Sequence, residues 1–251
     1  MATTPIPRWT LRPVPSGDAT VLLCFPYSGA GASMYRNWPH EIEPGIAVAA
    51  LQPPGRENRR REEPVTDHHD FATRLADWIE NQQFNDYMFF GHCGAATFMC
   101  STIFELEDRG APLPRHMVAS GWGAPDRGLY GYLNFVDLDS FDFVAEVHRQ
   151  AGRMGSTITE EIAQSAAKLL LHDQIIYRGY KYPAGRRIPV PVTVLVWQND
   201  EVVPPEQISD SWDHVADVSY VDLPGRHFTF LECNARLQRV ILQCHLKHEL
   251  T

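Results

Sequence analysis

Three residues of this 251-residue chain have the types, order and surroundings needed for nucleophilic catalysis: Cys93, Asp200 and His227. Cys93 sits in Tyr87-Met-Phe-Phe-Gly-His-Cys-Gly-Ala-Ala-Thr-Phe-Met99, where an apolar run ends at Gly91 and a helical pattern begins just after the cysteine. A tight strand-to-helix turn between small residues is the setting of a nucleophile elbow, usually written G-x-S-x-G. Here it reads Gly91-His92-Cys93-Gly94-Ala95. A nucleophile needs a base, and the base needs a carboxylate to orient it. In a strand–turn–helix architecture the order is nucleophile, acid, histidine, with the last two just beyond late strands. Val192-Thr-Val-Leu-Val-Trp-Gln-Asn-Asp200 supplies the acid, with Glu201 behind it as a second candidate. Val218-Ser-Tyr-Val-Asp-Leu-Pro-Gly-Arg-His227 supplies the base, and Gly225 permits the turn that presents it. Asp200 has a plainer reading as the cap of a helix starting near Pro205. His92 reads as packing support inside the elbow, and His68 and His69 as a solvated helix start.

Acyl chemistry at Cys93 also needs donors for a developing oxyanion. The run Leu23-Cys-Phe-Pro-Tyr-Ser-Gly-Ala-Gly-Ala-Ser33 is a glycine-rich loop after the first strand, where one such amide is expected. The candidates are the backbone N–H groups of Ser28 (or Tyr27) and Gly94. A phosphate-binding loop is the rival reading, but the lysine of G-x-x-x-x-G-K-[ST] is missing.

Positioning these residues takes a repeated strand–helix alternation. Short apolar runs at Thr20–Phe25, Ala47–Leu51, Tyr87–Phe90, Met117–Ser120, Val192–Trp197 and Val218–Leu223 predict strands buried on both faces. Helical spacing links Phe71, Leu75, Trp78 and Ile79, and recurs over Cys233–Leu246. The alternation predicts a mostly parallel, doubly wound α/β sheet formed by residues 1–125 and 188–251. It breaks over 126–187, where amphipathic patterns near Ser140–Gln150 and Glu160–Tyr177 predict a helical insertion acting as a lid, or else two ordinary crossover helices. Residues 1–18, with Pro5, Pro7, Pro13 and Pro15, read as an extended lead-in.

Composition removes several function classes. Apolar residues are 44% and charged residues 21%, the range of a packed globular protein. The net charge of −9 argues against a nucleic-acid partner. The apolar runs are too short to span a bilayer, and the N-terminus lacks the order of a signal peptide, so a cytoplasmic location with no membrane partner is expected. The five cysteines (24, 93, 100, 233 and 244) form no CxxC pair and no zinc-ligand spacing.

These residues resemble the type II thioesterases of nonribosomal peptide and polyketide assembly lines. The resemblance covers Cys24-Phe-Pro-Tyr-Ser-Gly-Ala-Gly-Ala-Ser-Met-Tyr35 with Trp38, and Leu51-Gln-Pro-Pro-Gly-Arg-Glu57. It extends to the elbow, the Asp200 turn and Gly225-Arg-His-Phe-Thr-Phe-Leu-Glu232. It implies an α/β-hydrolase fold with a helical lid, acting on acyl groups that an acyl or peptidyl carrier protein holds by phosphopantetheine. No cofactor of the enzyme's own is implied, because the phosphopantetheine belongs to the substrate. Two segments depart from the family. Its elbow normally has serine, a bulky residue, then glycine, where this chain has Cys93-Gly94-Ala95. Its first loop usually has a histidine where this chain has Tyr27.

Cysteine changes the expected energetics. Serine would form an oxygen ester, lower in energy than the substrate thioester, whereas Cys93 would form another thioester, so the first transfer is near thermoneutral and reversible. The stored acyl or aminoacyl group can then pass to water or to the thiol of a second carrier protein. A cysteine-dependent hydrolase of free esters, amides or coenzyme A thioesters is the alternative, and a silent carrier-binding protein a further one. Tyr27, Phe135, Phe141 and Tyr177 are expected in the acyl pocket, with Leu133 and Phe143 beside them on the inner face of the lid. The basic run Arg56-Glu-Asn-Arg-Arg-Arg61 is either a contact for an acidic carrier protein or a solvated loop neutralised by its own glutamates.

Overall fold

The computed structural model describes residues 9–14, 19–43, 45–82, 84, 86–209 and 211–246. Seven strands form one sheet in the order β2-β3-β1-β4-β5-β6-β7. They are β1 (Thr20–Phe25), β2 (Glu41–Ile42), β3 (Ile46–Ala50), β4 (Tyr87–His92), β5 (His116–Ser120), β6 (Val192–Trp197) and β7 (Val218–Leu223). Only the short edge strand β2, which the sequence pattern did not predict, is antiparallel to its neighbour. The buried strands alternate between two cores. Val21, Leu23 and Phe25 of β1 face one core together with α1 (His68–Gln82) and α2 (Ala95–Asp108). Leu22 and Cys24 face the other, with Trp38, Phe230 and the apolar stripe of α5 (Ala235–Leu246). An unbroken apolar run is what a strand covered on both faces requires.

The chain leaves β1 toward β3, then returns to the far side of β1 and proceeds through β4, β5, β6 and β7. The reversal between β1 and β4 opens a crevice at their carboxyl ends, the usual binding position in a wound sheet. Phe25 pairs with Gly91, so the first loop and the elbow leave the sheet side by side. The chain is an α/β-hydrolase-type fold.

Residues 126–187 contain no strand and two long helices, α3 (Phe143–Arg153) and α4 (Glu160–Arg178). Both start on side-chain caps: Asp142 accepts from the Ala145 N–H at 2.9 Å, and Thr159 accepts from the Ile162 N–H. Phe143, Ala167 and Leu170 form a small core of their own with Leu133, Leu138 and Phe141 packed against it. Pro205–Gln207 is a single 3-10 turn rather than the start of a longer helix.

What ties α4 to the sheet is an ion pair. Arg56, in the loop after β3, meets Asp173 through Nη2–Oδ1 at 2.8 Å and Nη1–Oδ2 at 3.1 Å, and both side chains are buried. Asp173 also accepts from the Gly29 N–H at 2.7 Å, while Arg56 donates to the Ala30 carbonyl at 2.7 Å. This corrects the reading of the basic run. Arg56 is spent internally, and Arg59 is buried too, donating to the Gln52 carbonyl and to Glu62. Only Arg60 and Arg61 face solvent. His68 is corrected as well: it is buried, stacked on Phe98 with ring centroids 4.3 Å apart, and bonded to Thr97 Oγ1.

A buried pair is worth little beyond an apolar replacement, but half of one is costly. Arg56→Met is therefore expected to lower the unfolding free energy by about 3–5 kcal/mol, measured by urea titration. The double variant Arg56→Met/Asp173→Leu should recover most of that loss. Equal destabilisation in both would mean the pair's charges are not the cause.

Candidate active site

The elbow is strained at the residue that matters. Cys93 has φ of +56°, a left-handed conformation that non-glycine residues rarely adopt. The strain is held by tight packing. A Cβ at Gly91 would lie 2.8 Å from Met99 Cε and 3.0 Å from Ala95 Cβ, and the Cys93 N–H is pinned to the Ser120 carbonyl at 2.7 Å. The next residue must also be small: a Cβ at Gly94 would lie 2.5 Å from Tyr177 Cε1. The ring of Tyr177, from α4, fills the space that a bulky residue after the nucleophile would need. That contact accounts for Gly94.

Beyond β6 and β7 the sheet delivers the other two groups. His227 Nδ1 lies 2.8 Å from Asp200 Oδ2 and 3.0 Å from Oδ1. Asp200 is itself fixed by the N–H groups of Val202 and Val203, which donate to its Oδ1 at 2.8 and 2.9 Å. It thus anchors its own turn and partners the histidine, while the Pro205–Gln207 turn that it was expected to cap is preceded by Pro204 and has no side-chain cap. Glu201 faces solvent. With Nδ1 turned to Asp200, the other ring nitrogen is left for Cys93, which lines the same cleft as His227. Burial pulls the His227 pKa down, but the bond to Asp200 and the neighbouring Cys93 outweigh it and raise it to about 9. Cys93 is half-buried, whereas Cys24, Cys100, Cys233 and Cys244 are buried. Burial pushes the Cys24 and Cys100 thiols up, and the Cys233 thiol up to about 12.

His92 lies behind the site. It is fully buried, stacked on Phe230 at 3.9 Å between centroids, and its Nδ1 is 2.8 Å from Ser120 Oγ. Burial, then the neighbouring His227, holds it well below the ordinary histidine pKa, so it stays neutral.

In the first loop, the Gly29 and Ala30 N–H groups are committed to Asp173 and to the Tyr27 carbonyl. Among the described residues, those of Tyr27, Ser28 and Gly94 donate to no protein group, as oxyanion donors must. Tyr27, Ser28, Cys93 and His227 line one cleft. Of the aromatic residues expected there, only Tyr27 is in its wall. Phe135 is 71% exposed and outside the lining, Phe141 packs on Phe143, and Tyr177 lies buried against Gly94 of the elbow. Leu133 lines the cleft as expected, but Phe143 belongs to the small core. Tyr130, Tyr132, Val202 and Phe228 complete the aromatic and apolar wall, and Asn134, Glu146 and Gln174 add polar groups that sequence reasoning missed. The one available signal was the polar run His172-Asp173-Gln174 in the otherwise apolar stretch Leu169–Ile176.

The thioesterase-domain family matches residues 20–247. The chain is 32% identical over 209 residues to the Streptomyces griseus protein named Probable cadicidin biosynthesis thioesterase. That alignment covers 82% of this chain and 57% of the relative's own length. Among solved structures, the type II thioesterase BorB from the borrelidin biosynthetic cluster superposes with a TM-score of 0.77 at 25% identity, covering 94% of this chain and 97% of its own. RedJ, a thioesterase from the prodiginine biosynthetic pathway in Streptomyces coelicolor, gives 0.74 at 28% identity, with 93% and 90% covered.

The raised pKa of His227 links the site to stability. Its folded value exceeds its unfolded one, so the stabilisation is complete below about pH 6.5 and lost as pH rises through about 9. The wild type should thus lose up to about 3 kcal/mol of unfolding free energy across that window. His227→Gln should remove the decline. Denaturant titrations at stepped pH read both, and an unchanged decline in the variant would exclude His227 as its source.

Proposed function

Because the chain belongs to the thioesterase family, we propose that it takes acyl groups from carrier-protein phosphopantetheine thioesters onto Cys93 and releases them to water or to another carrier thiol. The observation that supports this best is the thiol of Cys93, held at a strained elbow and lining one cleft with His227.

In this reading the Cys93 proton moves to His227, and Asp200 stabilises the imidazolium that results. The thiolate attacks the thioester carbonyl carbon, and the carbonyl oxygen becomes an anion facing the amides of Gly94 and Ser28. Collapse breaks the bond to the pantetheine sulfur, which leaves with the proton from His227. The acyl group now rests on Cys93 as a thioester. Neutral His227 next takes a proton from water, giving a free acid, or from a second pantetheine thiol, giving a new carrier thioester and restoring the enzyme. The helices of 126–187 serve as the lid, since Leu133, Glu146 and Leu170 wall the cleft and limit the access of water to the loaded site. No helix among the described residues is long and apolar enough to cross a membrane. We place the enzyme in the cytoplasm with its carrier protein, in nonribosomal peptide or polyketide biosynthesis.

Cys93→Ala should abolish acyl-enzyme formation, followed by intact-protein mass spectrometry after incubation with acyl-carrier thioesters. Replacing Cys24, Cys100, Cys233 or Cys244 should leave it. Full labelling of Cys93→Ala would refute the assignment. Cys93→Ser should still release free acid but lose transfer to an added holo-carrier, because returning an oxygen ester to a thiol is uphill. If wild type and Cys93→Ser release acid alike, and neither loads the acceptor, transfer is eliminated and hydrolysis remains.

A further inference from the structure

Behind the reacting groups lies a hydrogen-bonded set that the chemistry above does not use. Ser120 ends β5, the strand between β4 and β6, with His92 paired to it on one side and Leu195 on the other. Ser120, His92 and Trp197 are each at most 1% exposed. Trp197 Nε1, which can only donate, gives its hydrogen to Ser120 Oγ at 2.9 Å, and the same oxygen lies 2.8 Å from His92 Nδ1. One hydroxyl thus joins the ends of β4, which carries the nucleophile, and β6, which leads to the acid. The main chain of the same residue holds the nucleophile, because the Ser120 carbonyl accepts from the Cys93 N–H at 2.7 Å. Gly121, at φ of +62°, permits the close approach: a Cβ there would lie 2.8 Å from His92 Cε1 and 3.2 Å from Asp200 Oδ2.

His92 occupies this place at a cost. Its ring stacks on Phe230, a contact that a phenyl group would make as well, while its Nε2 is buried with no partner among the described residues. An unmet buried nitrogen lowers stability, so packing alone does not account for an imidazole here. What the imidazole adds is a ring locked at Nδ1 and laid against His227, with centroids 4.4 Å apart and planes at 60°. Asp200 holds His227 at Nδ1 alone. A ring bonded at one nitrogen can still swing about that bond, and the swing carries its other nitrogen toward or away from Cys93. The His92 ring blocks it. Burial keeps His92 uncharged, so it does this without opposing the positive charge that His227 gains.

Resting on the reading of Cys93 as nucleophile and His227 as its base, we propose that Ser120 and His92 are positioning residues for that pair. Ser120 fixes Cys93 through its carbonyl and the His227 ring through its hydroxyl and His92, and Trp197 anchors the hydroxyl. The separation of thiol and imidazole is then set from one residue at the end of β5. Displacement of a reacting group by about 1 Å can cost about a hundredfold in rate.

The test follows alkylation of Cys93 by iodoacetamide, mapped by peptide mass across pH, beside the release of acyl groups from a carrier thioester. Alkylation reports the thiolate that His227 sustains and is independent of the acyl group. Ser120→Ala and His92→Phe should each slow alkylation at neutral pH about fivefold and move its midpoint up toward the ordinary thiol value of about 8.5. Each should lower kcat for acyl release about tenfold and leave KM within about twofold. The urea midpoint of His92→Phe should equal or exceed that of the wild type, because Ser120 keeps its bond to Trp197 and the orphaned nitrogen is gone. In the His92→Phe background, Ser120→Ala should cost nothing further, since the hydroxyl acts through the imidazole. Where His92→Phe fails to fold, the midpoint shift in Ser120→Ala carries the test. Wild-type midpoint and kcat in Ser120→Ala would overturn the proposal, and so would losses that multiply in the double variant. If the wild-type Cys93 itself titrates as an ordinary thiol, the pairing of Cys93 with His227 fails, and this inference with it.

Discussion

The buried pair of Arg56 and Asp173 is the contact on which the arrangement of the site depends. Three segments that are distant in sequence meet there: the loop after β3, the glycine-rich loop after β1, and α4. Two charges out of water are tolerable because nearly every polar atom involved is bonded, in a bidentate geometry that only arginine can supply. Arg56 Nε is the exception, buried without a partner. The pair fixes Gly29 by its N–H and Ala30 by its carbonyl. The amides of Tyr27 and Ser28 just before them are left without a protein acceptor. Gln174, the next residue of α4, holds the Ser28 hydroxyl, so the same helical turn steadies the loop at two points.

The elbow faces the same helix from the other side. Tyr177 lies one turn beyond Asp173 and presses on Gly94. Its hydroxyl is pushed far up by burial, then by Asp173 and Cys93, so it stays neutral and acts by shape. One helix thereby touches both the first loop and the elbow and sets the gap between them. The histidine and its carboxylate depend on a different part of the structure, the carboxyl ends of β6 and β7. They rest on the sheet register that pairs Trp197 with Leu223.

Much of this was legible in the sequence. The apolar runs marked every strand except two-residue β2, because a strand covered on both faces has no solvent side on which to place polar residues. The order Cys93, Asp200, His227 was legible because each follows a strand and sits among turn residues. Other features were not. Arg56 lies in a run of charges, and composition alone does not distinguish an arginine that bonds a distant aspartate from one that bonds water. The cleft wall was misjudged for a related reason. Helical spacing shows which residues share a face, but α3 and α4 pack on each other as well as on the cleft. Phe141 and Phe143 went to their mutual core, Phe135 went to solvent, and their places in the wall were taken by Tyr130, Tyr132, Asn134, Glu146 and Gln174.

Residues 126–187 look like a cassette in the linear sequence, an insertion that could be exchanged between relatives to change substrate range. The Gly94–Tyr177 contact argues otherwise. A glycine after the nucleophile is a vacancy shaped for a tyrosine that arrives from the insertion, and the tyrosine in turn forbids any larger residue there. A recombinant with a foreign insertion would keep a nucleophile turn cut for a partner it no longer has. The two segments are bound to diverge together, and the join between core and insertion is a poor crossover point although the chain passes it only twice.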